Sequence, residues 1–288
     1  MLIKHLLENE NGENYKNIIS RIAESKYFNE MYGTQLQTIE PEDLENPDLV
    51  RKFDNMYRGS DNYKAPYLVI APYEERRPSD TNIEIHNYVN MISKEKYGVP
   101  VRNLIFADKR ITLAEEYGEP YVLFPLGDYR LFYHKGVRDF TEYYSTYASI
   151  AYEIISEVIA RNPNKYDEFV LEAVLETFEH YELDYENRKK FDKSLKKMAR
   201  KMAAEYFIGA EKDKVKPSDV KILEKLFYTY GRELFKKFEK YASGIKVTKS
   251  IHDIYNEEIM VQADEIAAVH TESFNSMLSQ ILEIKKGS

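Results

Sequence analysis

The sequence predicts an α+β protein, a split β core carrying a large all-helical insertion. Three observations predict it. Residues 1–139 mix segments of helical and strand period, residues 140–243 read as helix almost throughout, and strand character returns from 244 before a last amphipathic helix. A β-containing stretch on each side of a helical block implies that the two ends of the chain complete one domain. The expected boundaries are therefore 1–139 for the first part of the α+β domain, 140–243 for the insertion and 244–286 for the completing part.

Taken in order, Tyr15, Ile18, Ile19, Ile22 and Ala23 recur at helical spacing and predict an opening helix within 12–31. The acidic stretch from Thr38 to Val50 holds Pro41 and Pro47 and reads as loop or short helical turns. The apolar run 67–73 predicts a strand, and Pro78, Ser79, Asp80 and Thr81 supply turn and capping chemistry. Ile85, Tyr88, Val89 and Ile92 then share a face of a helix over 83–96, closed by Gly98. A strand is expected over 99–107, and a short helix over 111–117 ended by Gly118. Two strands, 121–125 and 129–133, are expected to turn at Leu126, Gly127 and Asp128. The insertion divides into helices near 140–161, 165–181, 186–208, 218–229 and 231–242, with Ser218 as a cap. Short strands at 245–248, 258–261 and 266–269 precede the final helix, 274–284.

Composition narrows the function classes. A chain of 288 residues, 43% hydrophobic and 31% charged, has material for a substantial core and a well-solvated surface. Its formal charge of −8 argues against coating nucleic acid by charge alone. Without cysteine there is no disulfide, thiolate metal site or cysteine nucleophile, which fits a reducing compartment. The chain has no apolar run of 18 residues and opens too polar for a secretory signal, so a cytoplasmic protein is expected. The six histidines lack metal-ligand spacing, and no glycine-rich phosphate loop or nucleophile elbow occurs, so no metal is expected.

Three short strings carry the chemistry. They are Tyr57-Arg58-Gly59, the stretch from Asn103 to Gly118 with Phe106, Asp108 and Tyr117, and Asn256-Glu257-Glu258 leading into Ile259, Met260 and Val261. In this order they resemble the three blocks of the ADP-ribosyltransferase superfamily: an early strand with an arginine, a central strand–turn–helix, and a late strand opening with a glutamate. The resemblance implies an ADP-ribosyltransferase-like split β core and NAD as substrate. Region 57–139 also resembles proteins of large tailed bacteriophages, which implies action in the cytoplasm of a host cell.

What the resemblance implies for the site is specific. Glu258, with Glu257 as the adjacent alternative, would hold the nicotinamide ribose and stabilise an oxocarbenium-like transition state. Arg58 would grip the pyrophosphate through paired charged hydrogen bonds, with Arg77 and Arg102 as rival cations. Phe106 would meet the nicotinamide, and Asp108 and Tyr117 would line the same pocket. Three positions depart from the family pattern: Ala107-Asp108 stands where Ser-Thr is common, and Asn256 where many members carry Glu or Gln. The acceptor, a host protein or nucleic acid, is left open by them. They also sustain an alternative, a non-catalytic phage structural or host-takeover interaction protein on a degenerate fold of this type.

One further feature stands outside the three strings. Arg188, Lys189, Lys190, Lys193, Lys196, Lys197, Arg200 and Lys201 crowd one helix, opposite the apolar stripe of Phe191, Leu195, Met198 and Met202. That face is a candidate docking site for phosphates or an acidic partner, and equally reads as a solvated basic face.

Overall fold

Two long antiparallel strands organise the β core of this computed structural model, which describes residues 15–62, 64–72, 75–76, 83–140, 143, 183–208 and 217–287. In chain order the strands are β1 (Tyr57–Ser60), β2 (Tyr67–Ile70), β3 (Ile105–Ala107), β4 (Glu119–His134), β5 (Ile245–Thr248) and β6 (Ile259–His270). The protein is thus α+β, with a six-stranded antiparallel sheet.

β4 and β6 pair from Tyr121 opposite His270 to Tyr133 opposite Ile259. The free edge of β4 takes β1 and β5, and the free edge of β6 takes β2 and β3. β1 and β3 therefore lie on opposite edges, yet they meet. Tyr57 and Asp108 exchange backbone hydrogen bonds of 2.7 and 2.9 Å. This bridge closes the sheet on itself. A register irregularity between Leu126 and Tyr129, with Gly127 at a φ of +84°, supplies local bend and twist.

The apolar core against the sheet is filled from both ends of the chain. Leu131, Ile259, Val261 and Ala263 join one apolar cluster with α1 (Tyr15–Glu24), α2 (Lys26–Tyr32) and the last helix, Phe274–Gly287. Ser25 separates α1 from α2 because its side chain caps the second helix, accepting from Phe28 N at 3.2 Å. Within the cluster Tyr27, Tyr32, Phe124 and Phe274 make tilted, edge-on and stacked ring contacts.

The chain divides into two units. One comprises Met1–Glu75, Asn103–Arg138 and Ile245–Ser288; the other comprises Arg76–Arg102 and Asp139–Gly244. The second holds α3 (Ile83–Tyr97), followed after the short α4 (Ile111–Glu115) of the first unit by α5 (Arg188–Ile208) and α6 (Pro217–Gly244); the last helix is α7. Tyr88 of α3, Phe191 of α5 and Phe235 of α6 meet with centroids 4.7 to 4.8 Å apart. That triad ties residues 76–102 to the helical unit, whereas the sequence grouped them with the first domain.

Several elements differ from their sequence expectations. The two strands expected to turn at 126–128 are one strand, because both halves pair with β6 and Gly127 makes a bulge instead of a reversal. The strands at 258–261 and 266–269 likewise fuse into β6. Helices expected at 218–229 and 231–242 form the single α6. One interior glycine, Gly231, costs about 1 kcal/mol, and the burial of Tyr230 and Phe235 beside it offsets that. Ser218 therefore lies inside the helix behind Pro217 and is not its cap. The strand expected over 99–107 shortens to β3 behind a helical turn, Val101–Asn103. The helices near 140–161 (Phe140 and Tyr143 apart) and 165–181, and the turn at 78–81, lie outside the described residues.

Candidate active site at strand β3

β3 is where the three sequence strings converge. Its Phe106 pairs with Met260 and its Ala107 with Ile259, so the residue before Ile259, Glu258, stands at the mouth of the β3–β6 ladder. From the other edge, Arg58 of β1 reaches across the closure, and its Nη1 donates to the Phe106 carbonyl oxygen at 3.1 Å. The Arg58 Nε is buried and has no hydrogen-bond partner among the described residues. Such an orphaned donor on a cation is costly unless something accepts from it.

Alternation explains the sidedness. Tyr57, Ile105, Ala107, Ile259 and Val261 enter the core cluster, so Arg58, Phe106, Glu258 and Met260 fall to the opposite side of their strands. Arg58, Phe106 and Glu258 are each partly exposed, unlike the fully buried Met260.

Glycine makes the approach possible. A Cβ on Gly59 would lie 1.8 Å from the Ala114 carbonyl oxygen, so only glycine lets α4 pack onto β1. Gly118, at a φ of +118°, presses on Ser60 and Asp61 in the same way. The Tyr57-Arg58-Gly59 string and the Ala114 to Gly118 string are thus two halves of one packing contact.

The remaining candidates have defined places. Glu257 is buried and serves the turn before β6. Its Oε2 accepts from Tyr255 N at 2.8 Å and Asn256 N at 3.1 Å, and its Oε1 from Gly136 N at 3.2 Å. Burial pushes its carboxyl up, but the backbone N–H groups outweigh that and hold it below the ordinary glutamate value. Asp108 is also buried, and its carboxylate is forked by Arg110, with Nε at 2.8 Å and Nη2 at 2.9 Å, besides accepting from Arg110 N at 2.7 Å. Tyr117 is exposed at the end of α4.

Arg102 belongs to the helical unit, where its guanidinium lies 4.2 Å from the centre of the Phe140 ring and its backbone N–H donates to Asn90 Oδ1 at 2.7 Å. Arg77 lies outside the described residues. The first unit therefore brings Arg58, Phe106, Asp108 and Glu258 around β3, with Glu257 in the adjoining turn.

Sequence reasoning missed a second group beside the closure. Asp54 takes Lys109 Nζ at 3.0 Å on one oxygen and His252 Nδ1 at 2.7 Å on the other, and Lys109 also donates to Ile254 O at 3.2 Å. Desolvation opposes ionisation of Asp54, but the two hydrogen bonds and charges prevail and its carboxyl sits below its usual value. These residues fasten the segments before β1, after β3 and after β5, and nothing in their sequence spacing signals it.

Among the described residues no group of three or more His, Cys, Asp or Glu is placed to hold a metal ion, and no helix is long and apolar enough to cross a membrane. Comparison with family models, with curated proteins and with solved structures returns no match.

Proposed function

We propose that this chain is an ADP-ribosyltransferase-type enzyme that breaks the nicotinamide–ribose bond of NAD, releases nicotinamide and joins the anomeric carbon of ADP-ribose to a nucleophile of a host macromolecule, which gives up its proton. The observation that carries the reading is the convergence on β3, where an arginine from the first string and a glutamate from the last flank one three-residue strand. In this reading Glu258 holds the ribose and gains strength as positive charge develops at the anomeric carbon. Arg58 grips the pyrophosphate, and its unsatisfied Nε supports that role, since an anion there would complete its hydrogen bonds. Phe106 contacts the nicotinamide. Glu257 is assigned to the turn, because its carboxylate is filled by backbone N–H groups. The resemblance of 57–139 to phage proteins supports action in the host cytoplasm.

A second reading rests on its own observation. The Asp108 carboxylate is spent on Arg110, and one Arg58 nitrogen on a backbone carbonyl, as in an interaction protein whose pocket has lost its ligand. A thermal shift with NAD separates the two. A functional pocket at 100 times its dissociation constant gains about 2.7 kcal/mol, the gain vanishes in Arg58→Ala, and a degenerate pocket gains nothing.

A further inference from the structure

The eight basic residues of α5 are not equivalent. Arg188 is shared by Glu95 and Glu239, Lys190 pairs with Glu186, Lys196 with Asp192 at 2.7 Å, and Arg200 with Glu224 at 3.3 Å. Lys189, Lys193 and Lys197 are exposed and have no acidic partner among the described residues. They recur every four residues, so they form one ridge with steps of about 6 Å along the helix. The opposite face, Phe191, Leu195, Met198 and Met202, is buried, which fixes the ridge toward solvent.

We infer that this ridge is a docking surface for the phosphate backbone of double-stranded DNA. The charge fits: duplex DNA offers a negative charge about every 1.7 Å of its axis, so each lysine of a 6 Å ladder finds a phosphate. The chemistry of the ridge is that of phosphate contact alone. From Lys189 to Arg200 the exposed side carries no aromatic ring on which an unpaired base could stack, and no Asn or Gln to read an adenine edge. A membrane surface fits less well, because the apolar face that would enter lipid is already packed in the protein. The contact is sequence-independent and salt-sensitive, a local dock on a chain whose formal charge is −8. It names nucleic acid as the acceptor class and rests on the proposed transferase reading for that role only.

The test measures binding without NAD, so it succeeds or fails apart from catalysis. The full chain is titrated against a labelled 20-base-pair duplex by fluorescence anisotropy between 50 and 200 mM salt. The variant Lys189→Gln/Lys193→Gln/Lys197→Gln is compared with Lys94→Gln/Lys225→Gln/Lys240→Gln, the same charge change at exposed positions elsewhere in that unit. Wild type should bind the duplex, with log affinity falling linearly against log salt. The ridge variant should bind about tenfold or more weakly, with a slope shallower by about 2.7, three contacts at 0.9 each. The other triple variant should match wild type, and unchanged melting temperatures show that all three are folded. Absence of duplex binding at 50 mM salt, equal losses in both triple variants, or tighter binding to a polyglutamate peptide or to phosphatidylserine vesicles would each overturn the inference.

Discussion

Gly59 and Ala114 touch through their backbones: the ideal position of a Cβ on Gly59 lies 1.8 Å from the Ala114 carbonyl oxygen. A backbone oxygen cannot swing aside as a side chain can, so any larger residue must push α4 off β1. Gly59→Ala is therefore expected to cost about 3 kcal/mol, read as a lowered midpoint of urea unfolding. A glycine that tolerates alanine without loss would show that α4 does not pack here.

Glu257 makes the turn before β6 depend on acid. Its folded carboxyl lies below its ordinary value of 4.5, so folding favours the ionised form. The stabilisation is complete above that value and is lost as pH falls through the lower folded value. Glu257→Gln should cost about 1 to 3 kcal/mol at neutral pH, since a charged acceptor of several backbone N–H groups is replaced by a neutral one. The difference between variant and wild type should shrink as the pH of the unfolding experiment is taken below 4.5.

The Tyr27 hydroxyl is buried among Tyr32, Phe124 and Tyr129 and has no hydrogen-bond partner among the described residues. An unmet hydroxyl in an apolar site carries its desolvation cost with no return, and burial accordingly pushes its ionisation far up. Tyr27→Phe removes the polar atom and keeps the ring, so it should stabilise the protein by about 1 kcal/mol. A loss of stability on thermal melting would mean that the hydroxyl is satisfied in solution.

How much of this was legible in the sequence follows from the range of the forces involved. Helical period located α1, α3 and α5 because each buries a one-sided stripe such as Ile85, Tyr88, Val89 and Ile92. Turn chemistry misled at Gly127, where glycine serves a bulge in a strand held on both halves by β6, a partner more than 120 residues away in sequence. Residues 76–102 were misplaced for the same reason: Tyr88 finds Phe191 and Phe235 only in three dimensions. The candidate site was readable only through the order of three strings and their resemblance to a known family, since an arginine such as Arg58 and a glutamate such as Glu258 are ordinary residues taken singly. The Arg58–Phe106 contact depends on the closure of the sheet, which has no local signal, whereas Asp108 and Glu257 are tied up mainly by near neighbours in sequence, Arg110 for one and the Tyr255 and Asn256 backbone for the other.

Arg58 is expected to need its planar fork. Arg58→Lys keeps the charge but gives up paired donors, so NAD affinity should fall by about tenfold or more while stability changes little. Isothermal titration against NAD reads the first and thermal melting the second. Equal affinity in the lysine variant would remove Arg58 from the proposed pyrophosphate site.

The most direct measurement follows labelled NAD into acceptor, with host lysate and purified DNA supplied in parallel, for wild type and Glu258→Gln. The proposed chemistry predicts transfer by wild type and a loss of about 100- to 1000-fold in the variant, with melting temperature and NAD-induced thermal shift retained. Transfer by Glu258→Gln at the wild-type rate would contradict it.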